Sequence, residues 1–205
     1  MSPLSRRAFA GAALTSLLVA CGGPGTTSGN SGSSASPPPS VSEASVPPPA
    51  KSASALGRSV PVGLKIPAIG VDTSVMQLGL AADGTVEVPP IAAHDRAGWY
   101  RHSPTPGQTG PSVILGHVTV GSYGDGVFRH LGELNRGDKV VARLENGKSA
   151  VFAVTAVQTV AKADFPTDEV YGDVDRPELR LITCGGPRTG DGYQDNVIVF
   201  ATLST

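Results

Sequence analysis

From Val60 onward, short apolar runs alternate with turn-forming residues, and this alternation constrains the fold more than any other feature of the chain. Runs of this length bounded by Gly, Pro, Asn and Asp indicate β-strands. We predict strands at 62–66, 71–78, 85–88, 112–117, 139–144, 150–159, 178–184 and 196–203. Asn146-Gly147 lies between two of these runs and predicts a hairpin. Helical periodicity is weak, with short helical turns expected near 127–134 and 164–170. The pattern predicts a mainly β domain, either a barrel or a sandwich.

The composition and charge of the chain argue against binding of nucleic acid, a metal or a cofactor. The formal net charge of −1 gives no sign of a surface for nucleic acid or another polyanion. The 26 glycines and 18 prolines suit a β-rich domain joined to an extended tail. No clustered acidic loop appears in the sequence, so we expect neither a metal nor a cofactor.

The first 21 residues have the architecture of an export signal. Arg6 and Arg7 precede an apolar run at 8–20 that is too short to cross a bilayer comfortably. The arginine pair matches a twin-arginine signal, although general secretory signals also carry two arginines. Residues 18–21 (LVAC) resemble a lipoprotein cleavage box, which implies that Cys21 is lipidated and becomes the first mature residue. The alternative is an ordinary secretory signal with a chance cysteine at its end.

Residues 22–57 consist almost entirely of Gly, Ser, Thr, Pro and Ala. Such a stretch buries too little apolar area to offset the entropy of ordering it, so we predict a flexible linker. About 35 residues of this kind hold a domain tens of ångströms from a membrane. The predicted organisation is therefore a signal at 1–21, a linker at 22–57 and a catalytic domain at 58–205. The domain is expected outside the cytoplasm, anchored to the outer face of the cell membrane as a lipoprotein.

Two residues at predicted strand ends suggest nucleophilic chemistry. Cys184 closes an apolar strand and opens into a Gly-Gly-Pro loop, which leaves room for a substrate. An unpaired thiol in an oxidising compartment is a liability unless it is buried or used, so a buried structural cysteine is the alternative. A catalytic thiol needs a base, and His117 also lies at a strand end. The other histidines are read as surface or capping residues: His94, His102 and His130.

Several segments resemble the motifs of sortases and occur in that family's order. They are residues 115–117 (LGH), the stretch 128–138 ending in Gly-Asp, 152–154 (FAV) and 181–184 (LITC). The resemblance covers about 60–205 and is greatest to the exported class E or F sortases of actinobacteria.

The resemblance implies a closed eight-stranded β-barrel with short helices and a cysteine transpeptidase activity. The implied substrate is a secreted protein with a C-terminal Leu-Pro-x-Thr-Gly-like sorting signal. The implied mechanism forms a thioester on Cys184, with His117 as proton donor or acceptor and Thr183 in the substrate wall. An amine from a peptidoglycan precursor or a pilin then resolves the thioester.

The sequence departs from the family at the arginine that sortases carry near the start of the last strand. Counting back from the last strand places Asn196 there, and its amide would offer a neutral hydrogen bond in place of a positive donor. Arg188, in the loop after the cysteine, is the favoured substitute. Arg180 is the second candidate because it shares strand parity with Cys184.

Two other functions are kept as alternatives. The missing arginine is consistent with a catalytically weak or inactive sortase-like lipoprotein that acts as a binding module. An L,D-transpeptidase also uses Cys, His and Arg, but its Ser-x-Gly-Cys-x-Arg signature differs from the residues around Cys184, so it ranks below.

Overall fold

The computed structural model describes residues 54–190 and 192–204. The predicted export signal, Cys21 and residues 22–53 of the predicted linker lie outside the described residues. Across the residues that are described, no helix is long and apolar enough to span a membrane.

The described chain is built from ten strands and six short helices. The strands are β1 (Pro61–Ile66), β2 (Val71–Leu78), β3 (Ala97–Tyr100), β4 (Gly110–Leu115), β5 (Thr119–Val120), β6 (Gly124–Asp125), β7 (Lys139–Leu144), β8 (Ser149–Ala161), β9 (Pro177–Thr189) and β10 (Gly192–Leu203). One helix, α1 (Thr167–Tyr171), is α-helical. The 3-10 helices are Pro67–Ile69, Ile91–Ala93, Gly121–Tyr123, Leu131–Glu133 and Lys162–Asp164.

Eight of the strands close into a barrel in the order β1-β2-β3-β4-β9-β10-β8-β7, and β7 pairs back with β1. The β2–β3 and β4–β9 pairs are parallel and the other barrel pairs are antiparallel. The predicted closed eight-stranded barrel is therefore confirmed. β5 and β6 form a separate two-stranded sheet beside it.

One predicted strand is wrong, and three short strands were missed. Residues 85–88 contain only an isolated bridge between Val86 and Leu80. The Asp83 carboxylate accepts hydrogen bonds from both the amide and the hydroxyl of Thr85, and these bonds form a turn. The Pro-Pro pair at 89–90 has no amide N–H groups to donate to a neighbouring strand. The missed strands are β3, with four residues, and β5 and β6, with two residues each, and all three are too short to show an alternating pattern.

The local turn and helix predictions are confirmed. Gly147 has a φ of 78° in the turn between β7 and β8, a conformation that glycine adopts without strain. The helices Leu131–Glu133 and Thr167–Tyr171 lie within or overlap the ranges where helical turns were expected.

Two apolar clusters lie on opposite faces of the β4-β9-β10 sheet. The barrel interior holds Trp99, Leu181 and Val199, all with no exposed surface, and Phe128 packs into the same cluster. The second cluster lies on the outer face of these strands, and its buried members are Val113, Val170, Ile182 and Ile198. Val170 belongs to α1, so this helix covers the outer face. The strand that carries Cys184 therefore has a core side and an outer side.

Candidate active site

Cys184 and Asn196 lie on neighbouring strands of the barrel wall, and His117 follows the end of a third strand, β4. Cys184 of β9 is directly opposite Asn196 of β10. On the other side of β9, the parallel register pairs Leu115 of β4 with Ile182. The amide of Gly116 continues this ladder by donating to the Ile182 carbonyl at 3.1 Å. β4 ends at Leu115, and extension of the same register by two residues would place His117 level with Cys184.

Strand parity places Cys184 and Asn196 on the outer face. Ile182 and Ile198 belong to the outer cluster, and side chains two residues apart share a face. Thr183 has the opposite parity, pairs with Val197 of the interior cluster and is only 4% exposed. Its hydroxyl is buried without a hydrogen-bond partner in the described structure. Thr183 therefore lies on the core side of the strand rather than beside the thiol.

Cys184 is a half-buried free thiol at the point where β9 leaves the barrel. The two glycines that follow shape this exit. Gly186 has a φ of 72°, and a Cβ there would collide with the carboxylate of Asp195. A side chain at this position would therefore both strain the backbone and displace Asp195. Gly185 is restricted in the same way, because a Cβ there would collide with the side chain of Val197.

His117 is half-buried and is held through both its backbone and its ring. Its carbonyl accepts a hydrogen bond from the Phe128 amide at 2.9 Å. Gly126 packs so closely against the His117 carbonyl that a Cβ could not fit there. Nε2 of the imidazole lies 2.6 Å from the carbonyl oxygen of Pro89, in the segment between β2 and β3. Sequence reasoning missed Pro89, although its Pro-Pro dipeptide was a signal for a stiff segment.

Arg180 shares the face of Cys184, as predicted, but its guanidinium is bound elsewhere. Nη2 lies 2.6 Å from a carboxylate oxygen of Glu178, and both side chains are almost fully buried. Nε donates to the Glu169 carbonyl of α1 at 3.1 Å, and the guanidinium carbon lies 4.6 Å from the Phe200 ring centroid. Four residues of strand separate Arg180 from Cys184, about 13 Å. The structure therefore does not bring Arg180 to the thiol.

Arg188 lies on the exposed outer part of the β9–β10 hairpin, beyond an irregularity in the register. Asp195 pairs with Gly185 and Tyr193 pairs with Arg188, so two steps on β10 match three on β9. Directly paired residues share a face, so Arg188 takes the face of Asp195 instead of the face of Asn196. Its guanidinium carbon lies 5.9 Å from the Tyr193 ring centroid.

The same hairpin contacts the segment that follows His117. The Tyr193 hydroxyl lies 2.8 Å from the Thr119 hydroxyl, which links the cysteine hairpin to the histidine loop. This contact was not predicted, because it joins residues that are 74 positions apart in the sequence. Among the described residues, no arginine is paired with Cys184, and Asn196 is the polar side chain opposite the thiol.

Tyr171 of α1 packs against the outer cluster, and its burial raises the pKa of the phenol above the ordinary value of 10.0. A neutral phenol keeps α1 seated on the apolar surface next to the candidate site.

The barrel is similar to solved sortase structures. Sortase A from Corynebacterium diphtheriae matches with a TM-score of 0.54 and 20% identity, over 73% of this chain and 62% of that chain. The Clostridium perfringens sortase D5 transpeptidase matches with a TM-score of 0.53 and 23% identity, over 72% of this chain and 79% of that one. The SrtA sortase from Actinomyces oris matches with a TM-score of 0.52 and 26% identity, over 73% and 82%.

These likenesses define a sortase-type barrel, and this chain spans less than two thirds of the Corynebacterium sortase A chain. The family assignment follows from the sequence: a sortase domain family model matches residues 64–204, so the chain belongs to the sortase family. A search of curated proteins gave no match.

Proposed function

We propose that this chain is a cysteine transpeptidase that cleaves a Leu-Pro-x-Thr-Gly-like sorting signal and transfers the cleaved protein to a cell-wall amine. The observation that supports the proposal is the pairing of Cys184 with Asn196 on adjacent strands, with His117 two residues beyond the end of β4, the strand on the other side of β9. This arrangement offers a nucleophile, a proton carrier and a hydrogen-bond donor, each of them partly exposed. Membership of the sortase family supports the same reaction class.

The proposed chemistry uses each of these three residues once in each half-reaction. The Cys184 thiolate attacks the carbonyl carbon of the Thr–Gly bond, and the Asn196 amide donates to the oxyanion. The C–N bond then breaks, and His117 gives its proton to the departing amine. The product of this half-reaction is a thioester on Cys184. An acceptor amine attacks the thioester carbon, its proton passes to His117, and the sulfur leaves as the thiolate.

The proposal extends to the partners and the location of the enzyme. The substrates are secreted proteins that carry a C-terminal sorting signal, and the acceptor is an amine of a peptidoglycan precursor or a pilin. The enzyme acts outside the cytoplasm, held to the outer face of the membrane by the lipidated Cys21 and a linker at 22–57. Motif order and the exported context support a class E or F type.

The proposed role of Asn196 as a hydrogen-bond donor to the oxyanion predicts the effect of two substitutions on kcat. Asn196→Ala is expected to lower kcat by about 10²–10³, the usual cost of losing one oxyanion donor. Asn196→Asp is the matched variant, because it keeps the size of the side chain and replaces the N–H donor with an acceptor. Steady-state kinetics on a cleaved peptide measures both. Equal rates in the wild type and both variants would remove Asn196 from the mechanism.

Peptide turnover tests the proposed function. The full chain is incubated with a quenched library of Leu-Pro-x-Thr-Gly variants, with and without triglycine or a diaminopimelate-type amine. Cleavage that yields a ligated product establishes the transpeptidase and identifies the signal. Cleavage without ligation at any amine concentration identifies a protease instead.

A binding module is the second candidate, and one observation favours it. The position opposite the thiol holds Asn196 and not a cationic side chain, so the electrostatic stabilisation of an oxyanion is weaker. Binding of a library peptide without cleavage, together with a thiol that alkylates no faster than free cysteine, would support this function over the enzyme.

A further inference from the structure

The contact between His117 and Pro89 restricts the protonation of the imidazole. A backbone carbonyl oxygen only accepts hydrogen bonds, and Pro89 O lies 2.6 Å from His117 Nε2. Nε2 must therefore carry the proton in this contact. In the neutral ring the lone pair is then on Nδ1, and this nitrogen is the only ring atom able to accept a proton from a thiol.

The segment around Pro89 and Pro90 is conformationally restricted, and this fixes the direction of the Pro89 carbonyl. Pro90 limits the preceding residue to an extended conformation, so the Pro89 carbonyl has few directions available. The segment is anchored before the prolines, where the Glu87 amide donates to the Gly79 carbonyl at 3.1 Å and the Glu87 carboxylate accepts from the Gly79 amide at 2.6 Å.

The segment is also anchored after the prolines. The Ala93 amide donates to the Pro90 carbonyl at 2.8 Å and forms the helix Ile91–Ala93. The His94 carbonyl then accepts from the Val127 amide at 2.8 Å. Val127 is next to Phe128, whose amide binds the His117 carbonyl, so one backbone network holds the histidine and the segment together.

We propose that the Pro89 carbonyl is a positioning group that holds His117 by its Nε2–H, so that Nδ1 is the atom that exchanges a proton with Cys184 and with the leaving amine. This inference rests on the proposed function for its catalytic consequence, but the tautomer and the hydrogen bond are properties of the folded protein alone. The carbonyl accepts from Nε2 in both charge states of the ring, so the imidazole keeps its orientation as the proton arrives at Nδ1 and leaves again.

A backbone ester tests the inference directly. Position 90 of the full chain is replaced by lactic acid, which turns the Pro89–Pro90 amide into an ester and weakens the Pro89 carbonyl as an acceptor. The matched control is Pro90→Ala, which has the same side chain and an amide. Because Pro90 has no N–H, the ester removes no hydrogen bond that the native residue makes.

Nitrogen-15 NMR of the histidine rings gives a readout that does not need a substrate. In the wild type and in Pro90→Ala, the neutral His117 ring is expected as the Nε2–H tautomer with a slowly exchanging proton. In the ester, that proton is expected to exchange faster, and kcat on a cleaved peptide is expected to fall about fivefold relative to Pro90→Ala with KM little changed. His130, whose Nδ1 lies 2.7 Å from Glu133 on the surface, serves as the internal reference and is expected to be unaffected.

Two results would overturn the inference. The first is an Nδ1–H tautomer for His117 in the wild type. The second is an ester whose His117 tautomer and Nε2 proton exchange equal those of Pro90→Ala, whatever its activity. If no peptide is ever cleaved, the proposed function fails while the NMR result still decides the positioning role.

Discussion

Cys184→Ala is expected to abolish peptide cleavage, with a loss on the order of 10⁴-fold or more in kcat. The sulfur forms the covalent bond to the substrate, and an alanine methyl group cannot replace it as a nucleophile. Intact-protein mass spectrometry with a slowly resolved peptide is expected to show the thioester adduct in the wild type and none in the variant. Peptide turnover measures the rate loss.

Cys21→Ala is the matched control for this variant. It removes the other cysteine of the chain, which is outside the predicted catalytic domain, so the cleavage rate in solution is expected to equal that of the wild type. Thermal unfolding of Cys184→Ala checks that the domain is still folded. A folded Cys184→Ala protein that cleaves the peptide at the wild-type rate would contradict the proposed mechanism.

Most strands were predictable because they carry their own sequence signals, whereas the choice of a closed barrel over a sandwich came from the family resemblance. Strands of globular proteins are usually about three to ten residues long and are separated by turns, and most of the predicted runs in this chain meet that description. β3, which contains Trp99, was not predicted because it is short. Its position depends on pairing with β2 and β4 and not on a pattern in its own residues. The stretch 85–88 was overpredicted because turn contacts of Asp83 outweigh its β propensity.

The candidate site was partly predictable for the same reason. His117 and Cys184 each end an apolar run, and a barrel brings strand ends together, so their placement follows from the sequence pattern and the family resemblance. The face of the sheet on which Arg188 lies could not be predicted from the sequence. A single irregularity in the β9–β10 register moves its side chain to the opposite face from the one that simple alternation predicts. The hydrogen-bond partner of His117 could not be predicted either, because it is the backbone carbonyl of Pro89 and every residue type has such a carbonyl.

Arg180 shows how parity alone can mislead. The prediction that it shares a face with Cys184 is correct, but that face is divided between an uncovered part and a part covered by α1. Arg180 lies in the covered part with Glu178, Glu169 and Phe200 around its guanidinium. The guanidinium therefore links α1 to β9, and these contacts favour a stabilising role for Arg180 over contact with substrate.

Removal of that charge is expected to destabilise the fold. Arg180→Met leaves the Glu178 carboxylate, which is 7% exposed, with only the partner at the surface, Arg176. Breaking a buried pair by removing one member typically costs about 3–5 kcal/mol, so the free energy of unfolding is expected to fall by about that amount. Denaturant unfolding measures the change, and kcat on a cleaved peptide is expected to change little at a temperature where the variant is folded.

Two further variants separate the buried pair from its surroundings. Arg176→Ala removes the exposed partner of Glu178 and is expected to cost no more than about 1 kcal/mol. The double variant Arg180→Met with Glu178→Leu removes both buried charges and is expected to regain most of the lost stability, because no unpaired charge remains in the covered face. If Arg180→Met unfolds like the wild type but raises KM sharply, Arg180 contacts substrate, and the role first predicted for it from strand parity is the correct one.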